Sequence, residues 1–484
     1  MKKLYIVLLS CLLSSSLIAQ NFEEITGTPF EGVSSSSIAF ADIDNDGDQD
    51  VLITEWDNSS FQPISKLYAN DGNGNFTEVF ETPFVGVSNG SIAFADIDND
   101  GDQDVLITGS PGVYIATISK LYTNNGNGNF TEVLDTPFEG VSSSSIAFAD
   151  VDNDGDQDVL ITGWVFIAYR FQYVISKLYT NDGNGVFTEV LDTPFKDVSK
   201  SSIAFADIDN DNDQDVLITG KTDSNTRISK LYTNDGFGNF TEDYDTPFEG
   251  VLAGSIAFAD IDNDNDQDVL ITGQGEWDGS SYEQVAKLYI NDLNGNFTEV
   301  LNTPFVGVGA SSIAFADVDN DNDQDVLITG YNGAEIISKL YTNDGNGIFT
   351  ELLDTPFDGV FRSSIAFADV DNDGDQDVLI TGENNSDQRI TKLYRNMTIV
   401  GINEKVLFSN VSIYPNPNNG LINIDLGSLS NVSIKVINVS GQLIYYKENI
   451  NTPKYQFELD AAPGIYILEL SAEGEKQQFK LVKN

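Results

Sequence analysis

The residues with most chemistry to offer are aspartates at every second position of a nine-residue string, D-x-D-x-D-[GN]-D-x-D, which occurs seven times. The copies are Asp42, Asp44, Asp46, Asp48 and Asp50; Asp96, Asp98, Asp100, Asp102 and Asp104; Asp150, Asp152, Asp154, Asp156 and Asp158; and Asp207, Asp209, Asp211, Asp213 and Asp215. Three more follow: Asp260, Asp262, Asp264, Asp266 and Asp268; Asp317, Asp319, Asp321, Asp323 and Asp325; and Asp369, Asp371, Asp373, Asp375 and Asp377. Alternate residues turn their oxygens inward. Carboxylates at positions one, three, five and nine, with the backbone carbonyl of position seven, can supply the ~6–8 hard oxygen ligands that Ca²⁺ prefers. Mg²⁺ gives up its water reluctantly and suits such a cage less well. Position six needs a tight turn. Gly47, Gly101, Gly155 and Gly374 fill it in four copies, and Asn212, Asn265 and Asn322 in the other three, Asn being the commonest non-glycine residue in left-handed geometry. A single such loop could be an aspartate-capped turn, whereas seven predict calcium, about one ion per copy and seven in all. An EF-hand is excluded because position twelve is Ile53, inside an apolar run, where a glutamate is required.

The loops must be held by strands. Ile38–Ala41 and Val51–Thr54 flank the first as strands A and B, Ile64–Tyr68 reads as strand C, and Phe76–Phe80 as strand D after an NDGNGN turn. No segment has helical periodicity. Successive first aspartates are 54, 54, 57, 53, 57 and 52 residues apart, which suits a four-stranded propeller blade. The seventh copy stops at Leu393-Tyr394-Arg395-Asn396 without its strand D, while Asn21 to Val33, NFEEITGTPFEGV, matches Asn129 to Val141, NFTEVLDTPFEGV. The N-terminal segment can therefore complete the last blade. The prediction is an all-β chain whose residues 21–396 form a seven-bladed β-propeller closed by an N-terminal strand, which leaves no sheet edge open to aggregation.

Composition narrows the partners. Against 24 Lys and Arg stand 76 Asp and Glu, a formal charge of −52 that repels nucleic-acid phosphates and anionic lipid headgroups. With no histidine and one cysteine, His-based triads, His-ligated zinc or iron, CxxC redox pairs and intrachain disulfides are all excluded. Residues 1–20 have the layout of a secretory signal peptide, with Lys2 and Lys3 before an apolar run and small residues near Ala19. A lipobox ending at Cys11 would leave an apolar run shorter than the ~7–15 residues expected. Beyond the leader no run reaches the ~18 apolar residues of a transmembrane segment.

The string FADIDNDGDQDVLIT, flanked by strands and repeated, resembles the FG-GAP or VCBS-type repeats of integrin α-subunit propellers and many bacterial surface proteins. The resemblance spans nearly all of 34–396 and implies a Ca²⁺ ion in the A–B hairpin of each blade, held by positions one, three, five, seven and nine. Ala-Phe-Ala stands where Phe-Gly is typical, and Gly-Ala-Pro is absent.

Because strands alternate direction, the A–B and C–D turns share one face of the ring and the B–C and D–A connections the other. The first face is nearly invariant between copies, whereas the B–C loops vary in length and content. They hold Trp56, Trp164 and Trp277, the three tryptophans of the chain, together with Phe166, Tyr169, Phe171, Tyr173 and Tyr282. Two readings stand. These aromatics form a recognition surface for a glycan or protein ligand, or they pack onto neighbouring blades, with Trp164 to Val174 extending a hairpin. A lysine recurs in strand C, as at Lys66, and is expected to neutralise nearby acids; the recurring NFT string is read as a turn-to-strand junction although it matches a glycosylation acceptor.

After Met397 the acidic loops stop, and 397–484 holds eight acids and seven bases. Residues 397–402 read as a linker, and strand-like runs at Ser433 to Val439, Gln442 to Tyr446, Tyr455 to Leu459 and Ile465 to Leu470 suggest a small β-sandwich over 403–484. The strings Ile413-Tyr414-Pro415-Asn416-Pro417, Asn438-Val439-Ser440-Gly441-Gln442 and Pro463-Gly464-Ile465-Tyr466, with a Lys-bearing tail, resemble the C-terminal sorting domain of the type IX secretion system of Bacteroidota. That resemblance implies a partner, the type IX machinery, and export through the periplasm to the outer surface or the medium. The expectation for the whole is a non-catalytic calcium-binding adhesion module. An extracellular polysaccharide lyase or hydrolase, or a structural surface-layer component, is the alternative.

Overall fold

The computed structural model describes residues 22–57, 62–167, 171–277, 279–398, 411–427, 429–438, 442–472 and 475–483. The expected leader, Tyr169 and residues 399–402 of the expected linker lie outside them. Contacts divide the chain into two compact units, Met1–Ile399 and Val400–Asn484.

In the first unit each repeat folds into an antiparallel sheet in chain order, as in Ser37–Ala41, Asp50–Asp57, Gln62–Ala69 and Thr77–Val79. Seven such four-stranded sheets stand in a propeller-like arrangement among the described residues. Strand B is apolar without alternation because both its faces are covered. Val51 and Ile53 pack with Leu379 and Leu393 of the last sheet, whereas Leu52 between them packs with Val105 and Ile107 of the second. Each neighbouring pair of sheets shares a core of this kind, and the last shares one with the first, so the ring is closed. The closing strand is Phe22–Glu24. It pairs with Arg389–Asn396, Glu24 opposite Tyr394, in the register that sets Glu189 opposite Tyr179 in the third sheet.

Two residues of each repeat serve this packing in ways their types alone did not announce. The strand C tyrosine is fully buried and meets the phenylalanine of the TPF string edge-on, as in Phe30 and Tyr68, whose ring centroids are 5.0 Å apart. An asparagine after strand C staples one sheet to the one before it. Asn291 Nδ2 donates to the Ile208 carbonyl at 2.7 Å, and its own N–H donates to Asp268 Oδ1 at 2.8 Å. Equivalent bonds run from Asn70 to Val370 and from Asn396 to Val318. Replacing Asn291 by Ala leaves a buried carbonyl unpaired. The expected loss is ~1–3 kcal/mol, read as a lower denaturation midpoint with an unchanged slope.

The recurring lysine pairs as expected. Lys66 Nζ lies 2.7 Å from Glu31 and 3.2 Å from Glu78, and Lys392 lies 2.8 Å from both Glu24 and Asp358. These pairs are half-exposed, so each contributes at most about 1 kcal/mol.

The second unit has two sheets over one core. Ser412–Tyr414, Leu421–Asp425 and Lys454–Glu458 form one, and Leu443–Ile450, Val432–Asn438, Gly464–Ala472 and Glu475–Lys483 the other, with Ile422, Val436 and Leu468 buried between them. The Lys-bearing tail is thus a strand. Its Leu481 is fully buried, and Phe479 packs against the same core.

Candidate functional site

The acidic string lies between strands A and B and winds around its own first residue. Asp42 Oδ1 accepts the Asp46 N–H at 3.2 Å, and Oδ2 accepts the Gly47 N–H at 3.0 Å. Position six is left-handed as its residues required, with φ of 93° at Gly47 and 72° at Asn212. So is position four, where Asn45 has φ of 59°. Asp50, almost fully buried, takes the Ile43 N–H on Oδ2 at 3.2 Å and the Asn70 N–H on Oδ1 at 2.7 Å, which joins the loop to the C–D turn.

Oxygens of Asp42, Asp44 and Asp50 lie within 4.8 Å of one another, and the trios Asp96, Asp98, Asp104; Asp150, Asp152, Asp158; Asp207, Asp209, Asp215; and Asp260, Asp262, Asp268 repeat this. Burial pushes Asp50 up to about 6 despite its two backbone donors; burial and then the Asp46 charge also raise Asp44. In every loop the position-three carboxylate keeps one buried oxygen with no hydrogen-bond partner: Oδ1 of Asp44, Asp98, Asp152, Asp209, Asp262, Asp319 and Asp371. Like charges gathered around an unpaired buried acceptor are unfavourable unless a cation completes them. The donor set is entirely carboxylate oxygen, and it fits a hard divalent cation such as Ca²⁺.

Positions five and seven are placed differently. Asp46 Oδ1 accepts the Asp48 N–H at 3.0 Å, so its carboxylate shapes the loop. The position-seven carboxylate turns outward and takes a hydrogen bond from the position-four asparagine of the preceding sheet. Asn45 donates to Asp102, Asn99 to Asp156, Asn153 to Asp213, Asn263 to Asp323 and Asn372 to Asp48, each at 2.7 Å. A glycine in the C–D turn makes room: a Cβ on Gly72 would strike the Asp48 carboxylate. The two exceptions prove to be the two places without that glycine. Leu293 replaces it beside Asp266, and Thr398 beside Asp375. Both aspartates are buried instead, Asp266 taking the Leu293 N–H at 2.8 Å, and burial with neighbouring aspartate charges raises them to about 6 and about 8.

On the opposite face some of the aromatic loop residues are packed and others are exposed. Strands Asp158–Ile167 and Phe171–Thr180 make one long hairpin, so Trp164, Phe166 and Tyr173 are half-buried within it. Trp164 stacks on Phe166 at 5.6 Å, Phe166 bonds through its backbone to Thr117 of the second sheet, and Tyr173 Oη donates to Glu139 at 2.8 Å. The Phe171 side chain is outside the described residues. Trp56 is also half-buried, and its carbonyl accepts from Arg389 at 2.8 Å. Trp277 and Tyr282 remain 54% and 41% exposed, edge-on at 4.9 Å, with the Arg227 guanidinium 4.7 Å above the Tyr282 ring. Val113, Tyr114 and Ile115 on the second B–C loop are also exposed, a run that attention to tryptophan passed over.

Comparison with known proteins agrees with the repeat. The FG-GAP-like repeat matches residues 42–107, 110–161, 207–271 and 317–380, together about half of the chain, and the secretion system C-terminal sorting domain matches 412–484. No curated protein matches. Among solved structures, AofleA from Arthrobotrys oligospora is similar at 12% identity over 70% of this chain and 91% of its own, with a TM-score of 0.36. A beta-fructofuranosidase of Aspergillus kawachii complexed with glycerol is similar at 9% identity over 96% of this chain and 90% of its own, with a TM-score of 0.31. Among the described residues no helix is long and apolar enough to cross a membrane. The chain therefore belongs to the FG-GAP-like repeat family, and it carries a sorting domain that marks proteins exported by type IX secretion to the cell surface or the extracellular space.

Proposed function

We propose that the first unit is a calcium-stabilised recognition module that holds a glycan or protein ligand outside the cell. The observation that carries this reading is the buried, unpartnered aspartate oxygen that recurs in all seven acidic loops. In the first loop Asp42, Asp44 and Asp50 would hold the ion. Bound there, calcium neutralises carboxylates that otherwise repel one another and ties strands A and B together. One face is thereby made rigid while the other is free to vary. The reading is non-catalytic and gives Trp277 and Tyr282 the part of contact residues, flat faces that offer area at small cost in side-chain entropy.

The test is a screen of the calcium-loaded chain against glycans and extracellular matrix proteins. Saturable binding is expected to vanish in EDTA and to weaken at least tenfold in a Trp277→Ala, Tyr282→Ala double variant of unchanged melting temperature. Binding indifferent to both treatments, or turnover of a polysaccharide during the screen, would overturn the proposal.

A further inference from the structure

At the axis of the ring, on the face of the B–C and D–A connections, lies a cavity of about 450 Å³ to which all seven sheets contribute. That volume is within the ~300–1,000 Å³ of small-ligand sites. Its rim has one equivalent residue from each sheet: Ser35, Asn89, Ser143, Lys200, Ala253, Ala310 and Arg362. All seven are left-handed, with φ between 46° and 55°. Backbone bonds between neighbours hold them so, as from Ser143 N–H to Asn89 O at 2.6 Å and from Ser35 N–H to Arg362 O at 2.7 Å.

This conformation costs a side-chain-bearing residue roughly 1 kcal/mol or more, and glycine would relieve it. Instead the position carries Ser, Asn, Ser, Lys, Ala, Ala and Arg, between a constant Val two residues before it and a constant Ser-Ile-Ala-Phe-Ala that starts two residues after it. Two of the seven are cations from the fourth and seventh sheets, far apart around the ring. None of the residues lining the cavity is Asp or Glu, in a chain with 76 of them. Lys200 is exposed and makes no ion pair among the described residues, and Arg362 reaches Glu383 only at 3.5 Å. Below the rim, serine hydroxyls such as Ser201 and Ser363 are shared with strand B threonines, at 2.7 Å to Thr162 and Thr329. Tyr331 and Phe361 give an aromatic wall, and Gln274 and Gln284 add amides. The acidic loops do not spoil the field. Tyr331 is six residues along its strand from Asp325, about 20 Å at ~3.3 Å per residue, against a screening length of ~8 Å in physiological salt.

We infer that the axial cavity is a binding site for an anionic saccharide unit, whose carboxylate or sulfate is taken by Lys200 or by Arg362 while its hydroxyls meet the serine and glutamine groups and its ring lies against Tyr331. The site shares a face with the aromatic loops but includes neither Trp277 nor Tyr282, so the two readings can fail separately.

The experiment is calorimetric titration of the calcium-loaded full chain with a uronate, a sulfated monosaccharide and the neutral parent sugar. At least one anionic probe is expected to bind saturably and at least tenfold more tightly than the neutral sugar, and which arm responds identifies carboxylate or sulfate. Lys200→Ala with Arg362→Ala is expected to weaken that binding at least tenfold at an unchanged melting temperature, since Ala253 and Ala310 show that the rim accepts alanine. Trp277→Ala is expected to leave it unaltered. No saturable binding of either anionic probe, equal affinity for the neutral sugar, or binding that survives the double substitution would overturn the inference.

Discussion

Removing residues 22–33 is expected to open the ring and lower the melting temperature of the first unit by more than any internal substitution. Phe22–Glu24 is the fourth strand of the last sheet, and its loss bares the edge of Arg389–Asn396. Further contacts go with it. Ile25 N–H donates to the Leu393 carbonyl at 2.9 Å, Thr391 Oγ1 donates to the Glu31 carbonyl at 2.6 Å, and the Val33 carbonyl receives Gly382 N–H at 3.0 Å. Phe22, only 4% exposed and 5.1 Å from Phe357, completes the last aromatic cluster. An unpaired edge is a template for other chains, so the truncated protein is expected to associate as its concentration rises. The milder Phe22→Ala should cost ~3–5 kcal/mol, or roughly 4–6 °C for a unit of this size. Gel filtration and calorimetry read both. A monomer with the parent melting temperature after truncation would show that the ring does not depend on this closure.

That closure was legible in the sequence because both ends of one repeat survive in the chain and could be compared directly, NFEEITGTPF against NFTEVLDTPF. Strand B was legible for a related reason, since DVLIT has no polar alternation and must be covered on both faces. Other features depend on what lies across from a residue. The sequence offers the carboxylate of position five as readily as those of one, three and nine, yet the fold gathers positions one, three and nine, and turns position seven toward an asparagine in the sheet before. Nothing within one loop tells Asp213 from Asp266, since both stand in DIDNDNDQD. The difference arises in the C–D turn, where a glycine leaves room and Leu293 does not. The strand C asparagine looked like turn residue and proved to be a staple between sheets. In the second unit EKQQFKLVK reads as a charged tail because only Phe479 and Leu481 face inward, and its pairing with Gly464–Ala472 is set by that partner strand.

Calcium removal has the second large effect. A ligand that binds only the folded state adds RT ln(1 + [L]/Kd), about 1.4 kcal/mol per site at tenfold excess over Kd and about 10 kcal/mol for seven independent sites. Extracellular calcium modules work with Kd near ~10⁻⁴–10⁻³ M, so millimolar calcium provides that excess at the tighter end. The total rivals the ~5–15 kcal/mol by which whole domains are stable. At ~2.1 cal/mol/K of unfolding entropy per residue it corresponds to roughly 10–15 °C. The seventh loop should contribute least, because Arg395 Nε already lies 2.7 Å from Asp371 Oδ2 and supplies positive charge there. The direct test is the melting temperature of the full chain in millimolar calcium and in EDTA. A fall of roughly 10–15 °C in EDTA, reversed by added calcium and not by magnesium, is the predicted result, and identical melting temperatures in the two solutions would contradict it.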